Sequence, residues 1–256
     1  MKSTGILFKG EMVRAILRHP NPKIQTRRVA PIGRGPSPRC PYGEAGDELW
    51  VRETWSDDAL SLYPCPTAWY RATDDIQPGA VHTCPKKHRG NWADCLACWE
   101  QKNGRFRWKP SLLMPRSVCR IRLHIEAMRT QRLTQITETD AIAEGLERTE
   151  SGGFTDYDWH GYGGRSQFSG TESAVHSYRT LWNSINAKPK PVQRPHTKGP
   201  SHYVAFPWSM EDTERLLKKD TVITQVHSDL YTATHRDRPL YIHPDPTVFA
   251  ITFHRK

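Results

Sequence analysis

The feature that most constrains the fold is a two-residue alternation across residues 118–126. Ile121, Leu123 and Ile125 take turns with Arg120, Arg122, His124 and Glu126, the period of a strand with one buried and one wet face. A second strand is expected at residues 48–53, entered from the Gly46-Asp47 turn. Further strands are expected at 221–226 and 248–253. Between them lie isolated helices. Residues 12–17 suit a short one, stopped by Pro20 and Pro22. Thr137 reads as an N-cap with acidic residues in the first turn, and Gly145 as its stop. Ala174, Val175, Tyr178, Leu181, Trp182 and Ile185 recur at helical spacing, and residues 209–219 suit a further short helix. Residues 31–46, 151–170 and 187–202 read as loops. Strands scattered among isolated helices favour an α+β fold with a small curved sheet or barrel over a doubly wound parallel sheet.

Composition narrows the class. The chain is 36% hydrophobic over 256 residues, with a mean hydropathy of -0.71. Its 9 Trp, 9 Tyr and 7 Phe need a packed interior, which argues against disorder. No apolar run approaches the ~18–20 residues that cross a bilayer. Only Ile6, Leu7 and Phe8 are consecutive apolar residues near the N-terminus, too few for a signal peptide. A soluble, cytoplasmic protein without a membrane partner is expected.

Lys+Arg 37 against Asp+Glu 27 gives a net charge of +10, which favours polyanionic partners. The Walker A loop, the dinucleotide Gly-rich fingerprint, the nucleophile elbow and His-Glu-x-x-His are all missing. Triphosphate hydrolysis and zincin chemistry lose their sequence support, and no organic cofactor is expected.

Residues 57–107 are irregular, polar and Cys-bearing, as expected of an insertion with its own means of staying ordered. Cys95-x-x-Cys98 can grip one zinc ion from a tight turn, and Cys65 and Cys84 would complete a tetrahedral thiolate site. His82 and His88 are competing ligands, and ordinary buried thiols are the alternative. Such a closed site would be structural.

Lys23-Ile24-Gln25-Thr26-Arg27-Arg28 is a basic run whose plain reading is a solvated surface. A functional reading needs carboxylate and aromatic partners from elsewhere, and Glu53, Trp55, Tyr70 and Glu144 are the candidates. For each of these alone, a surface carboxylate or a core aromatic is the plainer reading.

Taken together these pieces resemble an ASCH domain of the PUA-like superfamily, of a group common in bacteriophages and prophages. Three blocks carry the resemblance. The first runs from Ile6-Leu7-Phe8 through residues 12–17 to Lys23-Ile24-Gln25-Thr26-Arg27-Arg28-Val29. The second is Cys40-Pro41-Tyr42-Gly43 with residues 46–55. The third is Trp108-Lys109-Pro110-Ser111, Met114-Pro115-Arg116, Leu133-Thr134-Gln135-Ile136-Thr137, Asp140-Ala141 and Ala143-Glu144-Gly145. Residues 181–186 and 245–253 extend it, so that it covers about half the chain. Two features depart from the group: Arg18-His19-Pro20-Asn21-Pro22 replaces a shorter Gly-containing turn, and residues 187–244 form a longer link.

The resemblance implies a PUA-like domain, a small β-barrel with flanking helices and a cleft. Together with the cysteine spacing and the longer link, the expected organisation is one domain over residues 1–256, with a zinc-stabilised insertion at 57–107 and an elaboration at 187–244. Related domains bind RNA or modified bases in such clefts. A small bacterial enzyme of this kind removes the acetyl group from N4-acetylcytidine with a Lys, a Thr and a Glu, which fall on Lys23, Thr26 and Glu144. The expected function is thus amide hydrolysis on a modified base of a nucleoside, RNA or modified DNA. Arg27, Arg28, Glu53, Trp55 and Tyr70 would bind the substrate. A non-catalytic RNA or modified-DNA binding module and a ribonuclease are the alternatives.

Overall fold

The computed structural model describes residues 1–20, 22–31, 39–56, 68–73, 108–148, 159–162, 170–171, 173–192, 200–214, 217 and 221–255. In chain order these form β1 (Ser3–Leu7), α1 (Gly10–Leu17), β2 (Gln25–Val29), β3 (Glu48–Arg52), β4 (Trp55–Ser56) and β5 (Trp69–Tyr70). Two 3-10 turns, Ser111–Leu113 and Arg116–Val118, lead into β6 (Arg122–Arg132). A third, Leu133–Gln135, precedes α2 (Glu138–Ala143), β7 (Trp159–His160), β8 (Gly170–Thr171) and α3 (Ala174–Asn186). The chain continues through β9 (Lys190–Val192), β10 (His202–Ala205), α4 (Met210–Glu214), β11 (Thr224–His227), β12 (Leu230–His235), β13 (Arg238–Ile242) and β14 (Thr247–Arg255).

These elements divide into two compact units. One comprises Met1–Pro22, Pro41–Ala127 and Phe253–Lys256, the other Lys23–Cys40 and Met128–Thr252. In the first, β1 lies parallel to β3, and β3 is antiparallel to β6. Alternation puts Ile6, Leu49, Val51, Leu123 and Ile125 on its buried face. Helix α1 buries Val13 and Ile16, three residues apart on one side, and ends where Arg18 turns extended ahead of Pro20. A smaller cluster of Trp55, Ala68 and Met114 lies behind the β4–β5 pair.

In the second unit β2 and β14 are antiparallel, with Thr26 opposite Ile251 and Arg28 opposite Phe249. The Thr137 hydroxyl accepts from the Asp140 N–H at 3.1 Å to start α2. Gly145, at φ 80°, ends it in the left-handed conformation that suits glycine. Helix α3 buries Ala174, Ser177, Tyr178 and Trp182, and Ala174, Tyr178 and Trp182 join Leu133, Ile136, Ala141, Trp159, Trp208 and Val248 in one core. A five-stranded sheet in the order β11-β12-β13-β10-β9 has its own core of Tyr203, Ala205, Leu240 and Ile242.

The α+β class stands, but no sheet among the described residues closes into a barrel. The small barrel is therefore corrected to open sheets. The strand expected at 118–126 begins later, at Arg122, because a 3-10 turn preceded by Pro115 occupies residues 116–118. It then runs on to Arg132 through residues with no apolar alternation. The 187–202 loop contains β9 and the start of β10, which pair with each other. Residues 187–244 prove to hold all five strands of the β11-β12-β13-β10-β9 sheet. Its β12–β13 hairpin turns through Arg236 and Asp237, both at positive φ, without the Asn or Gly that advertises such turns. Most of residues 57–107, including Cys65, Cys84, Cys95 and Cys98 with His82 and His88, lies outside the described residues.

Candidate active site

The Lys23 cluster lies wholly within the second unit. The main chain fixes it first: the Ile24 N–H donates to the Ala143 carbonyl at 3.0 Å, tying the approach to β2 onto the last turn of α2. Lys23 is thereby brought to the helix end, where its Nζ donates to the Glu144 carboxylate at 2.6 Å and to the Glu144 carbonyl at 2.7 Å. One ammonium thus pairs with a carboxylate and caps a carbonyl that the ended helix leaves open. Both side chains are almost fully buried, 2% and 3% exposed.

Strand alternation puts Lys23, Gln25 and Arg27 on one side of the β2 segment. Arg27 Nη1 donates to Gln25 at 2.8 Å and to the second Glu144 oxygen at 3.1 Å, while its Nη2 donates to Asp140 at 2.9 Å. Asp140 and Glu144 are four residues apart, one turn of α2, so both carboxylates face this strand. Arg129 closes the outer side with hydrogen bonds to Asp140 at 2.9 and 3.1 Å. Tyr178 of α3 completes the group, its ring centroid 5.8 Å from the Arg27 guanidinium carbon. While Lys23 is protonated, Lys23, Arg27 and Arg129 share two carboxylates, an excess of one positive charge suited to an oxyanion.

Burial pushes the Lys23 ammonium down; Glu144 opposes this, Arg28 and Arg27 reinforce it, and the outcome is a lowered pKa. Burial raises the Tyr178 phenol well above its usual range, and the Glu144 charge adds to the effect. Burial also pushes Asp140 up, but its arginine partners outweigh that and hold it below the usual carboxylate range. The result is a buried amine biased towards losing its proton, beside a carboxylate fixed by three neighbours.

Thr26 is one residue out of step and turns to the opposite side of β2. Its hydroxyl is buried without a hydrogen-bond partner, so it bonds neither Lys23 nor Glu144. Arg28 is half-buried, and its charge acts on both Lys23 and Tyr178.

Glu53, Trp55 and Tyr70 belong to the first unit and form a separate arrangement there. Arg120 grips Glu53 with two parallel hydrogen bonds of 2.9 and 2.8 Å and donates to Thr73 at 2.8 Å. Its guanidinium carbon sits 4.0 Å from the Tyr70 ring centroid, and the Tyr70 hydroxyl donates to the Val118 carbonyl at 2.6 Å. Trp55 is buried, with the Lys109 ammonium 5.2 Å from its ring centroid. Trp55 is thus a buried packing residue, whereas Tyr70 is half-buried with Arg120 against its ring.

Sequence reading missed Gln25, Arg129, Asp140 and Tyr178 as members of the site. The four-residue spacing of Asp140 and Glu144, and the two-residue spacing of Lys23, Gln25 and Arg27, were the available signals. Among the described residues no group of three or more His, Cys, Asp or Glu side chains could hold a metal ion. No protein-family model, curated protein or solved structure matches the chain.

Proposed function

We propose that this chain is a PUA-like ASCH protein that hydrolyses an amide on a modified nucleobase, such as an N4-acylated cytosine. The observation that carries this reading is the buried Lys23–Glu144 pair, in which a lysine with a lowered pKa donates directly to a carboxylate. Amide hydrolysis needs a base to activate a nucleophile and an acid for the leaving amine. In its deprotonated form Lys23 would serve as that base, taking the Thr26 proton as the acyl group moves to the Thr26 oxygen and passing it to the leaving amine. Water would then cleave the acyl-threonine ester to release the acid. Once Lys23 has taken the proton, Lys23, Arg27 and Arg129 outnumber the Asp140 and Glu144 carboxylates by one charge, which suits the tetrahedral oxyanion. Thr26 enters as nucleophile from the family resemblance. Its hydroxyl is buried on the opposite side of β2 from Lys23, so this role requires β2 to rearrange when substrate binds. The zinc site of Cys65, Cys84, Cys95 and Cys98 is retained as a structural proposal for the insertion.

A second reading is favoured by the same Thr26 hydroxyl. A trio whose nucleophile bonds neither partner is also what a binding module presents, with Lys23 and Arg27 gripping a base or phosphate and no chemistry following. Release of acetate from N4-acetylcytidine separates the two, because binding alone frees no acid. Loss of that release in Lys23→Ala and Glu144→Ala, with folding retained, supports hydrolysis. Tight binding without product supports the module.

A further inference from the structure

We propose that the outer face of the β1–β3–β6 sheet binds single-stranded nucleic acid. This surface uses none of the Lys23 cluster's residues and does not depend on hydrolysis there. It begins with Gly5. A methyl group at that position would stand 2.8 Å from the Trp50 ring and 2.9 Å from the Arg52 side chain. Glycine therefore lets the indole and the arginine stem lie down across β1. Trp50 stays partly exposed on the middle strand, opposite Arg122 on β6. The Arg52 guanidinium carbon lies 5.2 Å from the Trp50 ring centroid. A flat cation against a flat ring offers the two kinds of surface on which unpaired bases stack.

The same face continues along β6. Opposite Glu48 stands His124, whose ring stacks on His254 with centroids 5.4 Å apart and planes 19° apart. His254 is held by Glu126 at 2.9 Å. Buried Glu48 takes a hydrogen bond from Arg116 at 3.1 Å and lies 3.8 Å from Arg122, two arginines that are each about half exposed. Arg52 has no carboxylate partner among the described residues, and its Nε is buried without a hydrogen bond. Arg52 and Arg122 thus keep most of their N–H donors unspent beside the aromatic platform. A chain that alternates phosphates with exposed bases satisfies both features. A duplex, with its bases stacked inside, satisfies only the charge.

The test is fluorescence anisotropy on the intact protein, with labelled oligonucleotides of about ten nucleotides, within the usual span of such surfaces. The probes are oligouridine RNA, oligothymidine DNA and a duplex of equal length. Wild type should bind a single strand, whether RNA alone or both RNA and DNA, at least about ten-fold tighter than the duplex. Trp50→Leu should weaken binding on the order of ten-fold. Arg52→Gln and Arg122→Gln should each weaken it several-fold and lower the salt slope by about one. The arginine variants keep the test decisive if Trp50→Leu unfolds, and unchanged melting temperatures would show that they fold. Absence of single-strand binding at low salt, equal affinity for the duplex, or wild-type affinity and salt slope in both arginine variants would overturn the proposal. Acetylcytidine turnover plays no part in the readout, so either proposal can fail alone.

Discussion

Lys23 reaches across to the end of α2 and donates from one ammonium to both the side chain and the main chain of Glu144, at 2.6 and 2.7 Å. The pair is therefore at once a helix cap, a buried ion pair and the centre of the proposed chemistry. Its first consequence is for stability. Glu144→Ala would leave Lys23 and half of the Arg27 network buried without their anion, and should destabilise the fold by about 3–5 kcal/mol. Lys23→Met combined with Glu144→Leu removes both charges and should cost clearly less. Urea unfolding of the two variants beside wild type measures the difference.

The lowered pKa of Lys23 sets the sign of a pH effect. The unfolded chain keeps this lysine protonated up to about its ordinary value of 10.5, whereas the folded chain releases the proton at lower pH. Between those two points the unfolded state binds more protons, so this residue's contribution to stability rises with pH. The stability of wild type relative to Lys23→Met should therefore increase across the alkaline window below 10.5. Unfolding free energies of both proteins, measured from neutral pH upward, test it. A flat or falling difference would contradict the assignment.

Glu138, in the first turn of α2, ties that helix to the next. Its carboxylate accepts the Ala174 N–H at 2.8 Å and the Ser173 hydroxyl, at the start of α3. A charged acceptor on open N–H groups is a strong cap. Glu138→Ala should lower stability by about 1–2 kcal/mol, and Glu138→Gln by less, in thermal or urea unfolding.

Much of this architecture could be read from the sequence wherever local signals agreed. Helix α2 announced itself through Thr137 and Gly145, and α3 through its apolar spacing. Strand β14 could be read because its buried run is continuous from Val248 to Ile251. The β12–β13 hairpin was illegible because Arg236 and Asp237 hold positive φ without the usual turn residues. The far half of β6 was hidden by its polar composition. Lys23 and Glu144 could be linked in advance only by resemblance, since 121 residues of chain separate them. Asp140 and Gln25 were legible in principle from helix and strand periods. Their role appears only when Arg27 is seen to join them.

The cysteine spacing at residues 95 and 98 leads to a prediction for the insertion. Protein purified without chelator should carry about one zinc ion per chain, by elemental analysis. Cys95→Ser with Cys98→Ser should abolish it. Metal-free wild type would remove the site.

The most direct test of the central claim is turnover of N4-acetylcytidine by wild type, Lys23→Ala, Thr26→Ala and Glu144→Ala, followed as acetate and cytidine released in equal amounts. The account predicts product from wild type and a loss of roughly a hundred-fold or more in each variant. No product from wild type, or equal rates in all four proteins, would contradict it.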